Sequence, residues 1–393
     1  MQKFHKRTWA EIHLDRLERN FNTLKSFLGD KTQPVAVVKA NAYGHGDEAV
    51  APFLEKIGVK WFAVSNISEA LRLRTIGIKG EILVLGYGFP EDVANAVSNN
   101  IILTVTGIEH AQTLSKKIPA EKKLRIHIKI DTGMGRIGVL CSSIQACANE
   151  IEKICKIDNL SAEGIFTHLS AADSSEKSDI AYTSCQIERF LAVENELESK
   201  GIRLLHRHYL NSAGSVYHSG DKSTLSRLGI MLYGLYPNHS LELPCPLEPV
   251  MDFKTTITQV KIIKAGDFVS YGRTYIAEKD TQIASMAVGY ADGYSRLLSS
   301  IGEVLINGKR AKIAGRVCMD QTMLDVTGIT VKSGDTVTLF GSSEDDLITA
   351  DDLADLYGTI GYEIICGISK RVPRVIFYNG EIINVLNYLN FKA

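Results

Sequence analysis

The segment AVVKANAYGHG, residues 36–46, places one lysine at the end of an apolar run and directly before a turn. Residues 35–38 are typical of a short buried strand, and the small residues and Gly44 that follow Lys39 predict a turn before a helix that begins near Asp47. Burial lowers the pKa of a lysine, and a neutral lysine can form a Schiff base or act as a general base. From this segment alone, a lysine that reaches solvent at a strand end explains the pattern equally well.

Short apolar runs alternate with helical patterns up to about residue 240. Strands are predicted at 35–38, 61–64, 82–85, 101–105, 124–130, 163–167, 207–210 and 226–232. Amphipathic helices are predicted between them, for example at 68–76 and 178–200. This alternation favours an α/β fold, an N-terminal (β/α)8 TIM-type barrel whose active site lies at the C-terminal ends of its strands.

The pattern changes after three closely spaced prolines, Pro244, Pro246 and Pro249. Alternating β-branched segments at 255–263, 281–288, 302–306, 310–313 and 336–340 predict antiparallel strands, and Asn307-Gly308 predicts a tight hairpin turn. We therefore expect two domains, a barrel over residues 1–245 and a mostly β domain over residues 246–393.

Composition narrows the class of protein. The 393 residues are 45% hydrophobic and 23% charged, with a formal net charge of -1, so no basic surface for nucleic acid or membrane is expected. The substrate is expected to be small. The start of the chain lacks the apolar core of a secretion signal and no run is long enough to span a membrane, so a cytoplasmic location is expected.

Cysteine usage indicates neither a disulfide framework nor a zinc site, because the seven cysteines are odd in number and form no paired CxxC elements. We expect free thiols and no metal. The cysteines are Cys141, Cys147, Cys155, Cys185, Cys245, Cys318 and Cys366.

Polar residues follow several of the predicted barrel strands, where their side chains would converge. They are Lys39, Lys129, His168, Asn211, Ser212 and Arg227. A lone histidine such as His168 is more often structural than catalytic. Arg136, in a Gly-rich loop, can bind a carboxylate, although a surface ion pair is the commoner role of an arginine. Ser212 and the backbone amides near Gly229 and Ile230 can hold a phosphate without a lysine.

Motifs along nearly the whole chain resemble those of the alanine racemases, pyridoxal-phosphate enzymes with an N-terminal barrel and a C-terminal β domain. Each motif is weak alone, but their shared order makes the resemblance specific. The motifs are AVVKANAYGHG, HIKIDTGMGRIG, THLS, YLNSAG, SRLGIMLYG, VSYGRTY, GYADGYSR, GRVCMDQTMLDV and YEIICGISKRVPR.

The resemblance implies a pyridoxal 5′-phosphate site. Lys39 would hold the cofactor as a Schiff base, and Arg227, supported by His208, would face its pyridine nitrogen. Because arginine keeps its proton, the ring would be a weaker electron sink, which favours reprotonation over transamination. The implied cofactor-binding set is Lys39, Tyr43, His168, Asn211, Ser212, Arg227, Gly229, Ile230 and Tyr362, of which Tyr43, Ser212, Gly229, Ile230 and Tyr362 would bind the phosphate.

The resemblance also implies a two-base mechanism. Tyr271 would lie opposite Lys39 across the cofactor, with the lysine handling the α-proton of D-alanine and the tyrosine that of L-alanine. His168 would tune Tyr271 through a hydrogen bond. Arg136 and the backbone amide of Met319 would bind the substrate carboxylate, and Tyr290 would narrow the entrance. Supporting positions are Lys129, His208, Cys318 and Asp320.

Further family properties follow from the same resemblance. They are a head-to-tail homodimer in which each tyrosine enters the partner's barrel, and a match of Lys129 to a position that is often carbamylated in the family, where the modified side chain would be able to pair with Arg136. The sequence leaves open whether Lys129 is modified. Bulky Tyr290, Met319 and Tyr362 favour a small substrate, and alanine is expected, for peptidoglycan synthesis.

Other functions stay open at this point. They are a broad-specificity, serine or lysine racemase of the same fold, a decarboxylase of the same architecture, and a single-barrel protein that binds the cofactor without catalysis. Tyr271, in the C-terminal domain, disfavours the last two.

Overall fold

The computed structural model describes residues 4–218, 222–238 and 246–389, which divide into two compact units. The barrel unit comprises the described parts of residues 18–42 and 47–247, and the β unit those of residues 1–17, 43–46 and 248–393. No helix in these described ranges is long and apolar enough to span a bilayer.

Strands and helices are numbered in chain order. The strands are β1 Thr8–His13, β2 Gln33–Val37, β3 Trp61–Val64, β4 Glu81–Tyr87, β5 Ile101–Val105, β6 Leu124–Asp131, β7 Val139–Leu140, β8 Leu160–Phe166, β9 His206–His208, β10 Leu225–Leu228, β11 Met251–Ile263, β12 Phe268–Val269, β13 Tyr275–Ile276, β14 Thr281–Met286, β15 Glu303–Ile306, β16 Lys309–Ile313, β17 Thr322–Asp325, β18 Thr336–Ser343, β19 Asp346–Ile348, β20 Arg374–Tyr378 and β21 Glu381–Leu386. The helices are α1 Leu14–Ser26, α2 Asp47–Lys56, α3 Ile67–Thr75, α4 Val93–Ser98, α5 Ile108–Ser115, α6 Ile144–Cys155, α7 Lys177–Ser199, α8 Ser212–Tyr217, α9 Ala350–Tyr357 and α10 Gly361–Cys366.

The barrel unit is a parallel sheet in the order β10-β2-β3-β4-β5-β6-β8-β9. Backbone hydrogen bonds from Thr224 N to Arg207 O, 2.9 Å, and from Arg227 N to Leu210 O, 3.1 Å, join its two ends. The predicted TIM-type barrel is therefore confirmed. The last predicted strand, 226–232, ends early at Leu228, because the chain turns at Gly229 into a short 3-10 segment, Ile230–Tyr233.

The β unit is built mainly from antiparallel strands in one sheet. Its predicted hairpin is confirmed, since Ile306 pairs with Lys309 and the two residues between them, Asn307 and Gly308, have φ values of 49° and 69°. Positive φ at both central positions is the requirement of a tight hairpin whose turn matches the strand twist.

The first strand, β1, belongs to the β unit and was not predicted. It pairs antiparallel with β11 and parallel with β20. The division between the units differs from the predicted domains 1–245 and 246–393, because the described residues 4–17 and residues 43–46 belong to the second unit. The predicted boundary falls beside residues 239–245, which include Pro244 and Cys245 and lie outside the described residues. The six other cysteines are free thiols.

A left-handed turn follows Lys39 in the barrel unit. Ala40, Asn41 and Ala42 have φ values of 53°, 57° and 53°, a conformation that costs roughly 1–2 kcal/mol for each residue other than glycine. Glu69 stabilises the turn, because one carboxylate oxygen accepts from Ala40 N and the other from Ser65 N, each at 2.7 Å. The end of strand β2 is therefore held in a conformation that the local sequence disfavours.

The turn also has an acceptor of its own. The side-chain oxygen of Asn41 accepts from Asp47 N at 3.1 Å, and Ala42 N donates to Val38 O at 3.0 Å. The Asp47 carboxylate in turn accepts from Arg72 Nε at 2.7 Å. Glu69 and Arg72, three residues apart on helix α3, thus stabilise the two ends of the same loop.

Replacing Glu69 tests this role. In Glu69→Gln an amide group faces one of the two N–H donors, so we expect faster hydrogen exchange at Ala40 N and Ser65 N and a free energy of unfolding lower by about 1 kcal/mol. Amide exchange read by mass spectrometry measures the first effect, and urea unfolding the second. Ser68→Ala, an exposed neighbour, is the control; unchanged protection of Ala40 N in Glu69→Gln would contradict the assignment.

One buried arginine organises part of the β unit. Arg374 is 1% exposed and donates to the carbonyl oxygens of Gly44, Ser369, Val372 and Ile368 at 2.6 to 2.9 Å. Burial lowers its pKa to about 10, so the guanidinium stays charged at neutral pH. This side chain fixes the segment that carries Gly44, next to Tyr43.

Substitution of Arg374 should be severe. Arg374→Met removes the guanidinium donors to four carbonyl groups, and we expect a loss of about 3 kcal/mol in the free energy of unfolding. Arg310→Met, which breaks ion pairs at the surface, should cost under about 1 kcal/mol. Urea unfolding of both variants makes the comparison. Equal losses in the free energy of unfolding would show that the buried hydrogen bonds stabilise the protein no more than the surface ion pairs do.

Candidate active site

Arg227 lies at the centre of the polar cluster in the barrel unit. It is 4% exposed, and its Nη1 lies 2.8 Å from His208 Nδ1 and 2.9 Å from His208 O. Its Nη2 donates to Thr167 O at 2.8 Å and lies 3.5 Å from His168 Nδ1. The structure thus brings together Arg227, His208 and His168, three of the predicted site residues.

One donor of Arg227 is left over. A guanidinium has five N–H groups, and the acceptors above are all served by Nη1 and Nη2. Among the described residues, Nε–H has no acceptor. Burial, together with the nearby Arg136, lowers the pKa of Arg227 to about 9, which leaves it charged at neutral pH. A buried, charged donor of this kind suits an acceptor nitrogen on a ligand.

Phe166 connects the cations of the cluster, a role that the sequence did not reveal. Its ring stacks on His208, with centroids 4.7 Å apart and planes inclined by 3°. Lys129 Nζ lies 5.2 Å and Arg227 Cζ 5.6 Å from the ring centroid. The negative face of an aromatic ring stabilises such cations.

Lys129 is buried beside these positive charges. Burial, Arg227 and Arg136 lower its pKa to about 7, against the opposing effect of Asp131. The neutral amine, which is a nucleophile, is therefore readily formed near neutral pH.

The region around His168 is strongly electropositive. Burial and the nearby cations Arg227, Arg136, Lys129 and Lys39 together lower the pKa of His168 to about 2. The charge of Lys39 therefore acts on His168, as do the charges of the predicted residues Arg227, Arg136 and Lys129. Arg136 itself is exposed, within the loop that follows β6. Several cations that destabilise one another favour the binding of an anion such as a phosphate or a carboxylate.

Ser212 and Gly229 are also brought together. Gly229 N donates to Ser212 Oγ at 2.7 Å, so the hydroxyl hydrogen of Ser212 is left to donate to another group. Ile230 follows Gly229 at the start of the 3-10 segment. Asn211 caps helix α8 by accepting from Gly214 N at 2.8 Å, which makes it a structural support for Ser212.

The donor set of the barrel unit fits pyridoxal phosphate. The unused Nε–H of Arg227 matches a pyridine nitrogen, the Ser212 hydroxyl suits a phosphate oxygen, and Lys39 offers an amine for the aldehyde. The cationic surroundings of His168 match the negative charge of the cofactor.

In the β unit, Tyr271 is held on a strained loop. Ser270, directly before it, has φ 70° and ψ 175°, a region populated almost only by glycine. Ser270 Oγ donates to Arg316 O at 2.8 Å and lies 3.8 Å from Cys318 Sγ. The side chain of Tyr271 is 72% exposed.

Tyr290 and Met319 lie on two loops that are joined closely. Tyr290 N donates to Cys318 O at 3.0 Å, and a Cβ at Gly289 would lie 2.2 Å from the same oxygen, so only glycine permits this approach. Both Tyr290 and Met319 are partly exposed, at 42% and 52%.

A buried carboxylate, Asp292, anchors these loops, and the sequence analysis did not identify it. It is fully buried and accepts from Arg7 Nη1 at 2.8 Å, from Arg371 Nε at 2.7 Å and from Gly289 N at 3.0 Å. Arg371 Nη2 also donates to Asp320 Oδ1 at 2.6 Å. Hydrogen bonds thus connect the loops that carry the predicted residues Tyr290, Cys318, Met319 and Asp320.

Tyr43 and Tyr362, the predicted phosphate-binding tyrosines, are neighbours in the β unit, with ring centroids 6.5 Å apart. Tyr43 is 7% exposed and ends the left-handed segment, with φ 51°. No local signal in the sequence pairs these residues, which are far apart along the chain.

Comparison with known proteins places this arrangement in a family. Residues 12–237 match the model of the alanine racemase N-terminal domain, and residues 250–376 that of the alanine racemase C-terminal domain. Alanine racemase 2 of Caldanaerobacter subterraneus subsp. tengcongensis is 41% identical, over 97% of this chain and 98% of its own.

Solved structures agree. Alanine racemase from Bacillus anthracis, with bound L-Ala-P, is 38% identical with a TM-score of 0.93, covering 99% of this chain and 100% of that one. A histidine racemase from Leuconostoc mesenteroides subsp. sake is less similar, at 28% identity and a TM-score of 0.86 over 96% of this chain and 99% of its own. The chain belongs to the alanine racemase family.

Proposed function

We propose that this protein interconverts L-alanine and D-alanine with pyridoxal 5′-phosphate. The observation that carries the proposal is the full-length relationship to alanine racemases, together with a buried Arg227 whose Nε–H lacks an acceptor among the described residues. The protein is then an isomerase, and the D-alanine would serve peptidoglycan synthesis. A cytoplasmic location stays a prediction.

Several residues would hold the cofactor. Lys39 would bind it covalently, Arg227 would face its ring nitrogen, and Ser212, Gly229 and Ile230 would contact the phosphate, with Tyr43 and Tyr362. When bound, pyridoxal phosphate withdraws electrons from the α-carbon of an attached amino acid and so acidifies the α-proton. His168 and Asn211 would support this set, Asn211 through its cap on helix α8.

Arg227 would limit that withdrawal. A guanidinium donates a hydrogen bond but keeps its proton, so the ring nitrogen would stay unprotonated. The α-carbon would then be reprotonated quickly, and transfer of the amino group to the cofactor would be rare. Racemisation is the reaction that this balance favours.

Two bases would exchange the α-proton. Lys39 would remove it from D-alanine and Tyr271 from L-alanine, each returning a proton in the reverse direction. Inversion needs a base on each face of the α-carbon, and an exposed Tyr271 on a loop held by the Ser270 hydrogen bond suits that task. Because the pKa of His168 is about 2, its imidazole would be neutral. It would then form a hydrogen bond with Tyr271, as donor or as acceptor.

Three of the predicted residues would bind the substrate. Arg136 and Met319 N would bind the carboxylate of alanine, while Tyr290 would restrict the side chain. The loop bearing Met319 is fixed through Asp320 and Arg371, which suits a group that must hold a small substrate in one orientation.

A head-to-tail homodimer follows from the same proposal. The tyrosine of one subunit would enter the barrel of its partner and complete the site there. The 72% exposure of Tyr271 in the single chain supports this proposal. A general base must lie close to an α-proton that is shielded from water, and a partner subunit would provide that shielding.

The first test is incubation of the purified holoenzyme with L-alanine in deuterated buffer. We expect D-alanine with deuterium at the α-carbon, because the proton removed by one base is replaced from a group that exchanges with solvent. Chiral chromatography with mass spectrometry measures both. L-serine, L-histidine and L-lysine are assayed in parallel; faster inversion of any of these would favour a broader racemase, and carbon dioxide release a decarboxylase.

Variants separate the two bases in the same assay. Tyr271→Phe should slow inversion about 100-fold, while Lys39 continues to exchange the α-proton of D-alanine. Tyr275→Phe, another tyrosine of the β unit, is the matched control and should retain activity. Inversion by Tyr271→Phe at the rate of the unmodified protein would rule out the tyrosine as a base.

We also propose that Lys129 is carbamylated. The neutral amine would attack carbon dioxide, forming an N–C bond and releasing a proton to solvent, and the resulting anion would pair with Arg136. Because the pKa of Lys129 is about 7, the neutral form increases as the pH rises through 7, and so should carbamylation. Carbon-13 NMR with labelled bicarbonate measures it, with Lys129→Gln as control. Equal signals from both proteins would contradict the proposal.

A further inference from the structure

His127 is a buried histidine that the proposed reaction does not use. It lies on strand β6 two residues before Lys129, so both side chains occupy the same face of the strand. It is fully buried, and its Nδ1 lies 3.0 Å from Nε2 of His208. His208 in turn contacts Arg227 through its other nitrogen, Nδ1, at 2.8 Å. The three side chains form one continuous chain of hydrogen bonds.

The direction of this chain follows from chemistry. Arg227 can only donate, so His208 Nδ1 must be an unprotonated acceptor. Burial and Arg227 hold the pKa of His208 well below its usual value, so the ring is neutral and carries its proton on Nε2. That proton is donated to His127 Nδ1, which is therefore unprotonated as well. Only one arrangement of protons satisfies both contacts.

The chain ends at His127. Burial, His206 and Arg125 lower the pKa of His127 to about 3, so this ring is also neutral and must carry its proton on Nε2. Nε2 is buried and has no hydrogen-bond partner among the described residues. An unsatisfied N–H is unfavourable in a protein interior, and an apolar residue would avoid it. A gain elsewhere has to offset this loss.

The neighbours of His127 leave room for an imidazole. Gly164 pairs with His127 across β6 and β8, and a Cβ at Gly164 would lie 3.0 Å from Cε1 and Nε2 of the ring. The other neighbours are the rings of Trp61 at 5.9 Å and His206 at 5.6 Å. These contacts pack against the ring, and in the described part of the chain the hydrogen-bond partner of His208 Nε2 is His127 Nδ1.

We propose that His127 is a positioning residue for Arg227. As the terminal acceptor, it holds His208 in the Nε2–H form and so keeps His208 Nδ1 free to accept from Arg227. The guanidinium is then fixed in rotation, with its Nε–H directed away from the protein acceptors. This inference rests on the proposed function for its consequence in catalysis, but the hydrogen-bond chain itself does not.

The proton positions can be measured directly. Histidine labelled with nitrogen-15 in the holoenzyme gives long-range proton–nitrogen spectra that distinguish the two neutral tautomers. We expect Nε2–H for both His127 and His208, with the signals assigned from a His127→Asn variant. An Nδ1–H form of His127, or a charged ring at neutral pH, would overturn the proposal even if the protein did not racemise alanine.

Two substitutions separate hydrogen bonding from packing. His127→Asn keeps an acceptor oxygen near the position of Nδ1, whereas His127→Leu keeps apolar bulk and leaves His208 Nε2–H without a partner. We expect His127→Leu to speed cofactor dissociation and to raise the ratio of transamination to inversion, each about 10-fold. His127→Asn should stay within about 3-fold of the unmodified protein on both measures.

His206→Gln is the matched control, since His206 contacts Trp61 and His127 but takes no part in the chain. It should change neither measure. If His127 only fills space, His127→Leu should be as active as the unmodified protein and more stable, because the unsatisfied N–H is gone. That outcome, or equal losses in His127→Leu and His127→Asn, would refute the positioning role. A protein that fails to invert alanine yet shows the predicted tautomers would refute the proposed function alone.

Discussion

The left-handed backbone after Lys39 is the constraint on which the proposed site depends. A strand that ended in an ordinary turn would not need a carboxylate from another helix, yet Glu69 is placed to accept from both Ala40 N and Ser65 N. Because non-glycine residues disfavour this conformation, the loop keeps it only while those contacts are present. The position of Lys39 is therefore determined by helix α3 as well as by strand β2. The same principle applies at Ser270, where a strained residue directly before Tyr271 is held by its own side chain.

Charge is the second constraint. The barrel unit gathers Lys39, Lys129, Arg136 and Arg227 around His168, and each cation makes the others less favourable. Folding such a cluster without a neutralising group costs free energy, which the binding of an anionic cofactor or substrate would recover. The ring of Phe166 offsets part of the cost for Lys129 and Arg227. The cluster thus destabilises the ligand-free protein and strengthens the binding of an anionic ligand, as expected of a functional site.

Local patterns predicted much of this molecule, and distant contacts account for most of what they missed. The apolar run before Lys39, the alternation along β6 and the Asn307-Gly308 turn are each visible within a few residues. The pairing of β1 with β11 and β20 joins segments hundreds of residues apart, so no periodicity reveals it. Asp292 and Phe166 were missed for a similar reason. A lone carboxylate or phenylalanine has no distinctive spacing, and its importance comes from Arg7 and Arg371, or from His208, which only the fold brings near.

Arg227 shows how such distant contacts decide chemistry. The identity of the residue already implies a donor that keeps its proton, but its orientation does not follow from the sequence. Nη1 and Nη2 are taken up by His208, Thr167 and Tyr209, all backbone or imidazole acceptors at the ends of neighbouring barrel strands. Because none of these acceptors is a carboxylate, the guanidinium keeps its full charge for a ligand. If an aspartate replaced one of these acceptors, the carboxylate would neutralise the charge of the Arg227 guanidinium within the protein. The remaining Nε–H would then bind a ring nitrogen less strongly. The reaction that the site favours therefore depends on the neutrality of its supporting residues as much as on the arginine itself.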